Sequence, residues 1–325
     1  MAGTPAQSVQ FPAFRQYEAK RQEANNAMTA LLAGAKLAAH TLQLTSGSQE
    51  LLPRIFPGVE HINYFRLRTD RATELLVDTG HHLGAVAVPY ALAVHEDFVT
   101  SVVDLLKELG YTRKAPGRNK DLSKNPVKAW NMHDTVYLTL GGTVPTSGGD
   151  ATAIEVFHLL REMRNAHIHA GGEVSDALKE VVEAFSADAA QEWSRLSRRR
   201  HGDLVSSKEL RFNTFDIFAA FAVTKTLGRQ INALLRDRMD HAHWAEIAVR
   251  DYAMQTSKAR GSDSWMRGYL GYAAMNYGGI ELTEAELVAA AVTTGFWTGG
   301  RQWASRRSER GAQRKRNQGV GKPGD

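Results

Sequence analysis

No cysteine occurs in the 325 residues. That excludes disulfides, thiolate metal ligands and a cysteine nucleophile together, and it fits a reducing compartment. Long apolar runs are missing as well. The longest, residues 83–94, is interrupted by Pro89, and a helix needs roughly 20 apolar residues to cross a bilayer. The first twelve residues lack a basic segment followed by an apolar one, so no secretory signal is expected. These absences lead to the expectation of a soluble, cytoplasmic protein with no membrane partner. Apolar residues nonetheless make up 43 % of the chain, enough for a sizeable core in one large domain or two smaller ones.

The formal net charge of +5 is unevenly spread. Residues 113–128 hold six Lys or Arg against Asp121, and residues 301–325 hold eight against two acids. The remaining chain is mildly acidic. Basic segments on an acidic body suit contact with nucleic acid; a merely solvated surface is the plainer alternative.

Periodicity reads as helix almost throughout. Residues 14–44 carry Met28, Leu31, Leu32, Ala35 and Leu37 at three- and four-residue spacing, and Pro53 and Pro57 follow in a loop. Helical patterning resumes at 62–77. Residues 88–109 place Phe98, Val102, Leu105, Leu106 and Leu109 on one stripe that stops at Gly110. A basic loop over 112–128 precedes a short element at 129–140. Further helices are expected over 151–170, 175–196 and 214–235, and within 241–308. Thr283 and Glu286 fit a capping box. The polar, glycine-rich residues past Gly311 read as disordered.

The most specific feature is the run Arg161-Glu162-Met163-Arg164-Asn165-Ala166-His167-Ile168-His169-Ala170-Gly171-Gly172. On a helix, Ile154, Phe157, Leu160, Met163 and Ala166 form the apolar face, while Arg161, Asn165 and His169 stack on another at i, i+4, i+8. The glycine pair suits a left-handed cap. His169 then lies in the last turn, where the negative end of the helix dipole favours its imidazolium form. A guanidinium binds phosphate bidentately, and an imidazole gives and takes protons near neutral pH. Arg161 is a candidate second phosphate contact. The pairs His167/His169 and His241/His243 are spaced i, i+2 and diverge, so no metal site is expected and His167 reads as structural. The plainer reading makes Arg164 a surface charge, Asn165 a loop cap and His169 a stabiliser of its own helix end.

Arg164-Asn165-x-x-x-His169 resembles the R-x4–6-H signature of the HEPN superfamily, in the form where a polar residue follows the arginine. The resemblance implies an all-α, HEPN-like bundle over residues 61–240. A helical extension (1–60), C-terminal helices (241–310) and a basic tail (311–325) would flank it. It also implies a metal-independent endoribonuclease of phage defence or toxin-like role, with no cofactor. Arg164 and His169 would be the catalytic pair, oriented by Asn165, and two copies would face each other in a homodimer. Lys114, Arg118 and Lys120 would add RNA affinity. A neutralising or sensor protein is a further candidate partner. In HEPN toxins paired with a nucleotidyltransferase, a tyrosine commonly follows the histidine by two positions; here Gly171 stands there, against that pairing. The alternative is a non-catalytic HEPN-like module that dimerises and binds RNA or a nucleotide. A DNA-binding regulator ranks lower, because residues 283–310 show no helix-turn-helix spacing.

Overall fold

The computed structural model describes residues 8–44, 48–111 and 132–298, and the basic loop and the tail lie outside them. Among the described residues the chain is all-α, with no strand beyond two isolated bridges. The helices are α1 (Pro12–Gln43), α2 (Leu52–Ile55), α3 (Thr69–Val77), α4 (Thr79–Glu108), α5 (Met132–Thr139), α6 (Gly148–His169), α7 (Asp176–Glu183), α8 (Ala187–Ser197), α9 (Thr214–Arg238), α10 (His241–Gln255), α11 (Asp263–Asn276) and α12 (Glu284–Thr293). The described residues fall into two compact units, one within 16–231 and one made of 8–15 with 232–298. Both boundaries fall inside helices, α1 and α9.

In the larger unit, α4 packs on α5 and α6, and α6 packs on α7 and α8. The apolar face expected of α6 is the one buried: Ile154, Phe157, Leu160, Met163 and Ala166 all lie in the core, joined by Val156 and Leu159. α1 buries a narrower seam than its composition suggests. Tyr17, Ala24, Leu32, Ala39 and Leu42 are inside, whereas Leu31 and Leu37 face solvent.

Three helix boundaries differ from the periodicity. The helix expected over 62–77 is a single 3-10 turn at Ile62–Tyr64 and an α-helix only from Thr69, because the chain before it is extended and Arg68 bridges to Leu51. α4 starts at Thr79 and runs straight through Pro89. A mid-helix proline removes a backbone donor and costs about 3 kcal/mol; burial of Ala87, Val88, Ala91, Leu92 and Val94 on either side outweighs it. α4 is also long and apolar enough to cross a bilayer by length and composition, but 56 % of that window is buried inside the protein. The single helix expected over 175–196 is two, because Ser175 and Ser186 each cap a new start, accepting from Leu178 N–H and Ala189 N–H. Ser186 is held from outside its own helix too, donating through its N–H and hydroxyl to Glu155 of α6.

Helix contacts here are close. A Cβ on Gly84 of α4 would sit 2.5 Å from Phe212 Cβ, and one on Gly228 of α9 would sit 2.3 Å from the Tyr17 ring.

Within the larger unit lies a buried polar chain. Tyr17 donates its hydroxyl hydrogen to the Thr224 carbonyl at 2.5 Å, so its oxygen accepts from His95 Nδ1–H at 3.2 Å. His95 Nε2 is then the acceptor for His133 Nε2–H at 2.9 Å. That leaves His133 Nδ1 as a buried acceptor with no hydrogen-bond partner among the described residues. Phe157 packs edge-on against both imidazoles. Burial pushes His95 down to about 3 and holds His133 well below its ordinary 6.5, so both rings are neutral in the fold.

In the smaller unit, the backbone of Val9 exchanges two hydrogen bonds with the Asn232 amide, at 2.9 and 2.8 Å. Asp251 is fully buried and accepts from Arg15, Tyr272, Tyr277 and Gln255. Those bonds tie the start of α1 to α10 and α11. The expected capping box of Thr283 and Glu286 starts α12.

The neutral histidine pair makes stability acid-sensitive. Below about pH 6.5 the unfolded chain protonates both imidazoles while the folded chain does not, so stability falls as pH drops from about 6.5 toward 3. Urea denaturation from pH 7 to 4 should show this loss. The double variant His95→Leu with His133→Leu should flatten it by up to two protons, or about 2.7 kcal/mol per pH unit. An unchanged slope in the double variant would contradict the assignment.

Candidate functional site

α6 carries the candidate residues on its C-terminal half. It ends on His169, where Gly171 and Gly172 adopt φ of +63° and +93°. The Ala170 and Gly172 N–H groups both return to the Ala166 carbonyl, at 3.1 Å each. A side chain other than glycine is strained at such φ values, so the glycine pair sets where the helix stops and leaves His169 in its last turn. His169 is exposed and has no polar partner among the described residues.

Arg164 is held from two sides. Its Nη1 donates to Glu96 of α4 at 3.2 Å, and its Nε and Nη2 donate to the Asn165 carbonyl oxygen at 3.3 and 3.2 Å. The Asn165 amide group in turn donates to Glu162 at 3.2 Å. Glu162 is buried, with Arg161 at 4.0 Å. A buried carboxylate is tolerated only when cations and donors surround it, and Arg161 and Asn165 supply them. Asn165 thus bridges a buried acid and a half-buried guanidinium. One turn earlier, His158 is pushed down to about 4 by burial and by the neighbouring Arg161 charge.

Arg164 and His169 are both on α6, but five residues correspond to about 140° of rotation on a helix. The arginine reaches toward α4, and the imidazole stands at the helix end. His167 turns inward, half-buried, with its ring edge-on to Phe212 at 5.4 Å and to His81 at 6.1 Å. His81 Nδ1 accepts from Phe212 N–H at 3.2 Å. Burial and the Arg211 charge lower the His81 pKa, so that ring is neutral at pH 7.

Of the residues singled out in the sequence, Arg164, Asn165 and Arg161 therefore join one hydrogen-bonded and charged cluster, and His169 stands beyond it at the end of the same helix. Lys114, Arg118 and Lys120 lie outside the described residues. Glu96 had no local signature: it follows a buried histidine on another helix, and only the packing of α4 on α6 brings it to Arg164. Glu162 could have been noticed, because it falls on the α6 face between Leu159 and Met163. The arginines at 195–200 are largely taken up nearby. Arg195 pairs with Glu192, Arg199 with buried Asp216 and Arg200 with Asp203.

A separate groove of about 510 Å³ opens at the N-terminal end of α6, between Gly148, Thr152, Arg195 and Thr226. From Thr152 to His169 the helix rises about 26 Å, so the groove is not part of the same site.

Comparison with known protein families, with curated proteins and with solved structures finds no match to this chain.

The Glu96–Arg164 pair is only partly exposed, with side chains 24 % and 18 % accessible. Glu96→Ala should lower the unfolding free energy by about 1 kcal/mol, below the about 1.5–3 kcal/mol of a buried charged hydrogen bond because solvent screens part of it. The loss should shrink in 1 M salt in equilibrium denaturation. A salt-independent loss would mean that the pair contributes packing rather than charge.

Proposed function

We propose that this chain is a metal-independent endoribonuclease of the HEPN type, acting in phage defence or a toxin-like role. The observation that carries the reading is α6 itself: Arg164, braced by Asn165, and an open His169 at a glycine-capped helix end, in an all-helical surround. The R-x4–6-H resemblance points to the same residues.

On this reading His169 takes the proton as a ribose 2′-hydroxyl attacks the adjacent phosphorus, and the P–O5′ bond breaks. The products are a 2′,3′-cyclic phosphate and a 5′-hydroxyl, with the proton returned to the leaving oxygen. Arg164 stabilises the extra negative charge of the phosphorane, exchanging part of its bond to Glu96 for the phosphate. Asn165 keeps the guanidinium plane fixed, since its carbonyl oxygen already accepts from two edges of it. His167 serves packing. The about 140° between the two side chains favours a site completed by a second copy, so a homodimer is part of the proposal. The basic segments at 113–128 and 301–325 add salt-sensitive RNA affinity.

The test is cleavage of host and phage RNA in EDTA. His169→Ala and Arg164→Ala should each lower the rate by about a hundredfold or more, the usual contribution of a positioned acid or base and of a donor that stabilises developing charge, respectively. Equal activity in parent and variants, or none in the parent, would sink the proposal.

A further inference from the structure

Residues 51–68 form a closed loop that presents aromatic rings to solvent. Its neck is an antiparallel bridge between Leu51 and Arg68. Leu52 N–H donates to the Leu67 carbonyl at 3.0 Å, and the N–H and hydroxyl of Thr69 donate to the Glu50 carbonyl at 3.0 and 2.6 Å. Loops with such close ends pack on themselves and frequently carry function. The interior is a succession of turns. Ile62 N–H returns to Val59, Tyr64 N–H to His61 and Phe65 N–H to Ile62. Ile62 is buried and anchors the tip, and His61 takes the left-handed conformation at φ +61°.

That scaffold places Tyr64 and Phe65 outward, 82 % and 56 % exposed. The His61 ring lies 6.1 Å from that of Tyr64, inclined by 34°. Two adjacent large aromatics held open by a hydrogen-bonded loop gain nothing for the fold by their position. The charges at the tip indicate the partner. Arg54 is paired with Glu50 and Arg68 with Asp70, but exposed Arg66 has no acidic partner among the described residues. Glu60 is the only acid in the loop, and it faces His61 at 3.1 Å. Open π-faces beside an uncommitted guanidinium match unpaired bases joined by phosphates, because stacking accepts any base and the cation takes the backbone.

We infer that this loop is a stacking platform for single-stranded RNA, with bases on Tyr64 and Phe65 and a phosphate on Arg66. The inference rests on the RNA reading above and specifies how substrate is gripped away from the cleavage residues. The nine residues of α3, about 14 Å of rise, run from the loop's neck toward Asp78 and His81, and His81 packs against His167 near the end of α6.

The test uses a fluorescent 2′-O-methyl oligouridine, which cannot be cleaved by 2′-hydroxyl attack, and measures its anisotropy with the full-length chain over a range of salt. Tyr64→Ala and Phe65→Ala should each weaken binding by about five- to a hundredfold, while Tyr64→Phe retains most of it. Arg66→Ala should weaken binding and reduce the salt slope by about one. Thermal midpoints should not move, since these side chains are exposed. If the loop variants bind as the parent does, or the parent does not bind, the platform is wrong. Self-association that Tyr64→Ala abolishes, without a change in oligouridine affinity, would overturn it in favour of a protein contact. Loop-dependent binding without cleavage of natural RNA by the parent would sustain the platform and defeat the nuclease reading; cleavage with unchanged affinity in the variants would do the reverse.

Discussion

The larger unit depends on two imidazoles that must stay neutral. His95 and His133 share one hydrogen through their Nε2 atoms in a fully buried space, and His95 passes the polarity on to Tyr17 and the Thr224 carbonyl. That chain joins α1, α4, α5 and α9 at one point, and Phe157 seats α6 against it. A buried polar network is tolerated when its members satisfy one another, and this one nearly closes: the lone exception among its atoms is His133 Nδ1. The network sets the tautomer of each ring and links α4 to α5 through the two imidazoles.

Seating α6 in this way has a consequence at its far end. The apolar face from Ile154 to Ala166 is committed to the core, so Arg161, Arg164 and Asn165 fall at the boundary with solvent and Glu162 is drawn inside. Burying that carboxylate requires donors, and Asn165 and Arg161 supply them. Asn165 then has its carbonyl oxygen left for Arg164. The order of the guanidinium therefore follows from the need to compensate a buried acid, not from the surface alone. The glycine pair acts independently of this, stopping the helix where His169 is still open to solvent.

Much of α6 was legible in the sequence because its evidence is local: apolar residues at helical spacing, a terminating glycine pair, and polar residues on the remaining faces. The Thr283 capping box was legible for the same reason. The start of α4 was not, because Pro89 reads as a boundary and only the burial around it overrides that local preference. The break at Ser186 was obscured by continuous helical patterning across two good caps. Glu96, His95 and His133 were beyond reach in a different sense, since their partners come from helices distant in the chain and no spacing rule connects them. Tyr64 and Phe65 were not singled out in the sequence, which placed them in helical patterning over 62–77; the hydrogen bonds and bridge that close the loop, formed with residues earlier in the chain, put them outside.

The most direct measurement of the central claim is the chemistry of the cut ends. A DNA oligonucleotide containing a single ribonucleotide, incubated with the full-length chain in EDTA and resolved by mass spectrometry, reports both position and mechanism. Attack by a 2′-hydroxyl predicts cleavage only on the 3′ side of the ribonucleotide, leaving a 2′,3′-cyclic phosphate on one fragment and a 5′-hydroxyl on the other. Cleavage at deoxyribonucleotides, or fragments bearing a 5′-phosphate, would contradict the account.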